Sequence, residues 1–170
     1  MKSKKNLVLL GMMGSGKSTI GSLISKKLNL KFIDIDKLIE KESSMKISQI
    51  FEKKGENYFR NLEEKISIKS LNSSNNIISL GGGGFINEKI RKEVILKNYS
   101  FWLNWQNTKL LNRIRKSKKR PITIKLMDEQ ILELIEKRSK IYSKAQFKIN
   151  CDTLTKNEIV KKIIELYENN

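Results

Sequence analysis

Apolar positions along the chain fall into short runs separated by longer stretches with helical spacing. The runs "NLVLL" (6–10), "KFIDI" (31–35), "NIISL" (76–80), "YSFWLNW" (99–105) and "FKIN" (147–150) have the length and composition of buried strands. Between them, apolar residues return every three or four positions. That spacing predicts helices over Ser18–Leu28, from the second strand through Phe51, and over Glu56–Leu71, Asn87–Leu96, Thr108–Arg115, Asp128–Tyr142 and Lys156–Tyr167. Strands alternating with helices predict a three-layer α/β domain around a parallel sheet. No internal repeat or linker divides residues 1–170, so a single domain is expected.

Composition narrows the class. Hydrophobic residues make up 38% and charged residues 31%, which suits a globular chain with a polar surface. No apolar run approaches the roughly 20 residues of a membrane-spanning helix. The start, "MKSKKNLVLLGMM", mimics a secretory leader, but it lacks a small-x-small cleavage site and leads into "GSGKST". It reads as a first strand, and a cytoplasmic protein that does not engage membranes is expected. The lone Cys151 has no internal disulfide partner, and without histidine a zinc site is not expected.

The net charge is +17, from 35 basic and 18 acidic residues. Nucleic-acid binding is one reading of that excess. The other is compositional drift: the chain is rich in Lys, Asn and Ile, with one Ala and one Pro, and its lysines are spread over the whole length. Drift is the reading adopted, so no specific nucleic acid is expected as a partner. Against that background the six arginines (Arg60, Arg91, Arg113, Arg115, Arg120 and Arg138) stand out as planar donors suited to carboxylate or phosphate.

"GMMGSGKST" (11–19) fits the spacing Gly-x4-Gly-Lys-Ser/Thr and lies between a strand pattern and a helix pattern, the context a P-loop requires. Gly11 and Gly14 open the loop. Backbone N–H groups of Gly14, Ser15, Gly16 and Lys17 would ring an anion at the helix N-terminus, with Thr19 closing the motif. Lys17 would reach the β- and γ-phosphates of a nucleotide such as ATP, and the Ser18 hydroxyl would ligate Mg²⁺. In "FIDID" (32–36), strand alternation puts Asp34 and Asp36 on one side, facing the ligand crevice. One carboxylate could hold Mg²⁺ through water while the other takes a substrate proton. Alternatively, Asp36 caps the helix from Lys37.

Other positions leave alternatives open. Arg60, with Glu63 and Glu64 one turn on, is either a surface ion pair or a ligand group. Arg138 shares a stripe with Ile131, Ile135 and Tyr142, so its charge needs a partner, either an internal carboxylate or an anionic substrate. The basic stretch "RIRKSKKRP" (113–121) is a nucleic-acid patch, a solvated loop, or a lid that swings Arg120 onto a phosphate. "GGGGF" (81–85) ends the third strand but has no Lys or Ser/Thr, which argues against a second P-loop. Glycines there let a substrate approach bare backbone.

Taken in order, "GMMGSGKST", "FIDID", "IFEKKGENYFRNLE", "LGGGGF", "RP" (120–121) and "RSKIY" with Ala145 resemble the shikimate kinase family over nearly the whole chain. The resemblance implies a P-loop kinase fold with a five-stranded parallel sheet, helices on both faces, a substrate-binding segment at about 36–62 and a mobile lid at about 113–125. It implies ATP- and Mg²⁺-dependent phosphorylation of the shikimate 3-hydroxyl, in the pathway to chorismate, by a monomer. Carried over by position, Asp36, Arg60, Gly81, Gly82, Gly83 and Arg138 would bind shikimate, and Asp34 would position Mg²⁺. Lys17 and Arg120 would act on the phosphoryl group, and Arg113 would lie by the adenine. Gly84 falls where the family more often has Ala, and "DTLTKN" (152–157) lacks the arginine and proline many relatives carry there. A gluconate or nucleotide kinase, or a nucleic-acid-binding ATPase, are the rival readings.

Overall fold

The structure, a computed structural model, describes residues 5–116 and 126–170. The first apolar run forms β1 (Leu7–Leu10), and all four of its residues are fully buried. The apolar run within the leader-like stretch is thus the middle strand of a sheet. There follow α1 (Lys17–Leu28), β2 (Lys31–Asp34), α2 (Ile35–Ser43), α3 (Ile47–Leu71), β3 (Asn76–Ser79) and a 3-10 turn (Gly84–Ile86). Then come α4 (Glu88–Lys97), β4 (Tyr99–Asn104), α5 (Asn107–Lys116), α6 (Asp128–Tyr142), β5 (Phe147–Asn150) and α7 (Lys156–Glu168). The five strands form one sheet in the order β2-β3-β1-β4-β5, and every pairing is parallel.

Strand alternation builds the two faces. Val8 and Leu10 point into one apolar cluster with Ile78 and Trp102, roofed by α2–α6 through residues such as Ile39, Phe59, Ile66, Ile90, Ile114 and Ile135. Leu7 and Leu9 point the other way, into a cluster with Ile77, Phe101 and Ile149 covered by α1 and α7. The expected three layers result. Burying one such Leu or Ile contributes about 2 kcal/mol, so the doubly covered β1 and β3 anchor the domain while the edge strands β2 and β5 stay partly open. At the amino ends of the central strands, Asn6 donates to Leu71 O and Asn98 Oδ1 and accepts from Asn76 N, tying the starts of β1, β3 and β4 together.

Several boundaries differ from the sequence pattern. The helical patterns before and after Gly55 join into α3, with a kink at Gly55 (φ 80°, ψ 171°). β2 stops at Asp34, not Ile35, so Asp36 lies in the first turn of α2 and strand alternation does not relate it to Asp34. The cap of that helix is Asp34, which accepts from Lys37 N, rather than Asp36. β4 ends at Asn104, leaving Trp105 just past the strand. β5 keeps its expected bounds, and the N–H of Cys151 just after it continues the ladder to Asn104 O at 2.9 Å. Arg120, Pro121 and most of the expected lid lie outside the described residues.

Candidate active site

Because every strand runs the same way, the loops after β1, β2, β3, β4 and β5 open at one edge of the sheet, where α/β folds bind ligands. The loop after β1 is the P-loop. Gly16 holds the N-cap position of α1 at φ 99°, a left-handed conformation that a side chain would strain, and no side chain caps the helix. The first turn of α1 therefore presents its N–H groups without a capping side chain, as an anion site requires. Lys17 is buried and folds back over the loop, its Nζ donating to Gly11 O (2.8 Å) and Met12 O (3.1 Å). Ser18 Oγ donates to Asp34 Oδ2 at 2.5 Å, which joins the P-loop helix to the end of β2. Arg113, on α5, donates from Nε to Gly14 O at 2.7 Å.

The loop after β3 carries the glycines, and the structure gives three of them separate reasons to lack a side chain. A methyl group at Gly81 would lie 2.7 Å from both Asp36 Oδ1 and Glu63 Oε1, and one at Gly83 would overlap Arg60 Nη1. At Gly82 it would stand 3.3 Å from Met13 N in the P-loop and 3.6 Å from Arg138 Nη1. Gly82 O accepts from Arg138 Nη1 (3.3 Å) and from the buried Tyr142 hydroxyl (2.5 Å). Gly84 differs: a methyl there would make only ordinary contacts, at 3.6 Å to Leu80 Cβ. Beyond the glycines, Arg91 Nη1 donates to Phe85 O and Ile86 O and pins the 3-10 turn.

Arg60 and Arg138 therefore flank a strip of bare backbone, reached from α3 and α6 respectively. Arg60 pairs with Glu63 at 2.7 Å and with Glu56 at 3.2 Å. Arg138 makes its hydrogen bonds to Gly82 O and Met12 Sδ, while Glu63 feels its charge through space. Glu63 is the site residue that sequence reasoning passed over as a surface ion-pair partner. The signal was there: it falls on the buried stripe of α3 with Phe59, Ile66 and Ser70. Burial pushes the Glu63 carboxyl up from its ordinary range; Arg60 pulls it back and the neighbouring Asp36 pushes it further up. Burial opposes the charge on Arg60 too, but Glu63 and Glu56 outweigh it and hold the guanidinium above its usual value. The two shifts pull the pair opposite ways. Since a guanidinium keeps its proton, the cost of burial falls on Glu63.

The donor set suits Mg²⁺. Ser18 Oγ and Asp34 Oδ2 are hard oxygens held side by side at the first turn of α1. Among the described residues no group of three or more His, Cys, Asp or Glu could cage a metal alone. Mg²⁺ is commonly held this way, by one or two protein oxygens together with phosphates and water. An open groove lined by Lys27, Leu28, Asn157, Lys161 and Ile164 lies between α1 and α7, at the end of α1 remote from the P-loop, and has none of these features.

Comparison with known proteins agrees with this geometry. A family model described as shikimate kinase matches residues 13–168. The shikimate kinase of Sulfurihydrogenibium sp. (strain YO3AOP1) is 41% identical over 162 residues, covering 94% of this chain and 96% of that one. The crystal structure of shikimate kinase from Aquifex aeolicus is similar with a TM-score of 0.82 at 36% identity, over 96% of each chain. That of shikimate kinase from Acinetobacter baumannii in complex with shikimate superposes with a TM-score of 0.91 at 27% identity, over 98% of this chain and 94% of that one.

Proposed function

Because the chain belongs to the shikimate kinase family, we infer that it transfers the γ-phosphoryl group of ATP to the 3-hydroxyl of shikimate. One observation carries the assignment of the site. Gly82 lies close to both the P-loop backbone at Met13 and the Arg138 guanidinium, so a phosphate on the loop and an anion beside the glycines would be neighbours. Proximity of that kind lets positioning supply much of the rate.

In this reading Arg60 and Arg138 clamp the shikimate carboxylate, and the backbone of Gly81–Gly83 lets its ring lie close. Asp36, from the first turn of α2, accepts a hydrogen bond from the acceptor hydroxyl and orients its oxygen. Lys17 exchanges its carbonyl partners for phosphate oxygens and stabilises the migrating charge. The acceptor oxygen forms the new P–O bond as the β,γ-bridging bond breaks. ADP leaves with the bond pair, and the acceptor proton passes to Asp36 and on to solvent. Ser18 and Asp34 would hold Mg²⁺, which supplies positive charge beside the β- and γ-phosphates. The proposed enzyme is a monomer, as the family resemblance implies. Among the described residues no helix is long and apolar enough to cross a membrane, and an ATP-dependent enzyme with one unpaired thiol fits the cytoplasm.

The test is ADP release from ATP·Mg²⁺ with shikimate, gluconate, a nucleoside monophosphate or single-stranded DNA. Turnover with shikimate alone is expected. Turnover with another acceptor and none with shikimate would overturn the assignment.

A further inference from the structure

Trp105 stands just past the end of β4 and packs against the apolar clusters on both faces of the sheet, so its ring is held from two sides. Its indole Nε1–H donates to Ser15 O at 3.0 Å. Its ring carries the Arg113 guanidinium, whose Cζ lies 4.3 Å from the ring centroid. Arg113 in turn donates from Nε to Gly14 O. Two consecutive P-loop carbonyls are thus held by two side chains that also contact each other.

The consequence follows from peptide geometry. In a trans peptide the C=O and the next N–H point in opposite directions. Drawing Ser15 O toward the indole therefore aims the Gly16 N–H away from it, at the N-terminus of α1 where an anion would sit. Arg113 is otherwise exposed, and the family resemblance places it by the adenine, a flat aromatic group. Guanidinium planes stack on such groups.

Resting on the reading of the P-loop as a nucleotide site, we propose that Trp105 is a positioning residue for the nucleotide. Its N–H sets the Gly16 N–H for phosphate, and its ring holds Arg113 in place beside the base. These two roles can be separated. Trp105→Phe keeps a ring under Arg113 and removes the N–H; Trp105→Leu removes both.

Isothermal titration with ATP and with inorganic tripolyphosphate, each in Mg²⁺ buffer, distinguishes them. Trp105→Phe weakens both ligands by a common factor, about three- to tenfold for one lost hydrogen bond. Trp105→Leu weakens tripolyphosphate as the Phe variant does and ATP by about a further threefold, for the lost stacking. Shikimate affinity stays within about twofold of the parent in both, a selectivity that general loosening of the fold would not produce. Unchanged ATP and tripolyphosphate binding in both variants overturns the proposal. So does a parallel loss of shikimate affinity, or an equal loss of the two phosphate ligands in the Leu variant. Should the Leu variant not fold, Arg113→Ala takes its place with the same expected ATP-selective loss, and equal loss again overturns the placing of Arg113 beside the base. A parent that binds both ligands without phosphorylating shikimate overturns only the acceptor assignment. A parent that binds neither overturns the nucleotide reading and this inference with it.

Discussion

Arg60 Nη1 lies 2.7 Å from Glu63 Oε2, one helical turn further along α3, and the Glu63 side chain is only 2% exposed. Glu56 holds the same guanidinium at 3.2 Å from the solvent side. Arg60 is therefore set in place before any ligand arrives, with Nη1 beside Gly83. Replacing Glu63 by Gln keeps an acceptor but removes the charge. Hydrogen bonds to charged groups contribute about 1.5–3 kcal/mol, so the shikimate KM is expected to rise about tenfold or more while the ATP KM holds. Steady-state kinetics with each substrate varied in turn checks this. A parallel rise in both constants would show that Glu63 supports the fold rather than Arg60.

The same carboxyl gives a pH signature. Burial raises the Glu63 pKa in the folded state, so over the window from the ordinary carboxyl value upward the native state binds more protons than the unfolded chain. Its contribution to stability is complete below that ordinary value, and is lost as pH rises through the raised one. Wild type is expected to lose stability relative to Glu63→Gln as pH is raised from about 4 toward neutrality. Thermal melts of both proteins across that range measure the difference. A difference that runs the other way would show that Arg60 outweighs burial.

The glycine run is open to a paired test. A methyl at Gly83 meets the tip of Arg60, which is flexible enough to move, so Gly83→Ala should fold normally and yet displace the clamp. The expected result is a shikimate KM at least about tenfold higher, as for loss of a charged contact. Gly84→Ala meets only ordinary contacts, and its constants are expected to stay within about twofold, in line with a substitution outside any strained or charged contact. Equal behaviour of the two variants would detach the glycines from substrate binding.

Lys17 is buried over the P-loop with two carbonyl partners. Lys17→Met retains the apolar stem and loses the charge. A drop in kcat of about 100- to 1,000-fold is expected, the scale for removing one donor to transition-state charge. Circular dichroism would show whether the fold is retained. Near-normal turnover in a folded variant would mean that another group carries the phosphoryl charge.

Cys151 is fully buried, and its thiol is pushed up to about 12, by burial first and then by the neighbouring Asp152. Thiolate is the reactive form. Ellman's reagent is expected to leave the native protein untouched and to titrate one thiol in denaturant. Rapid labelling of native protein would show that the end of β5 opens.

Much of this protein was legible before any coordinates. Strand runs at β1–β5 and the 3.6-residue periodicity of the helices are local properties, and the P-loop signature is contiguous, so pattern alone determined the three-layer α/β class and the position of the P-loop. Boundaries were less legible where one side chain decides them: Asp34 ends β2 by capping α2, which neither alternation nor propensity foretells. What the glycines are for could not be read locally at all. Gly81, Gly82 and Gly83 each face a different group (Asp36 with Glu63, Met13 with Arg138, and Arg60), drawn from α2, α3, the P-loop and α6. Those elements are far apart in the chain and meet only because the parallel sheet brings its carboxyl edge to one place. Glu63 and Trp105 were missed for the same reason. Each reads as an ordinary helix or strand residue until packing sets it against a partner, Arg60 for one and Ser15 with Arg113 for the other.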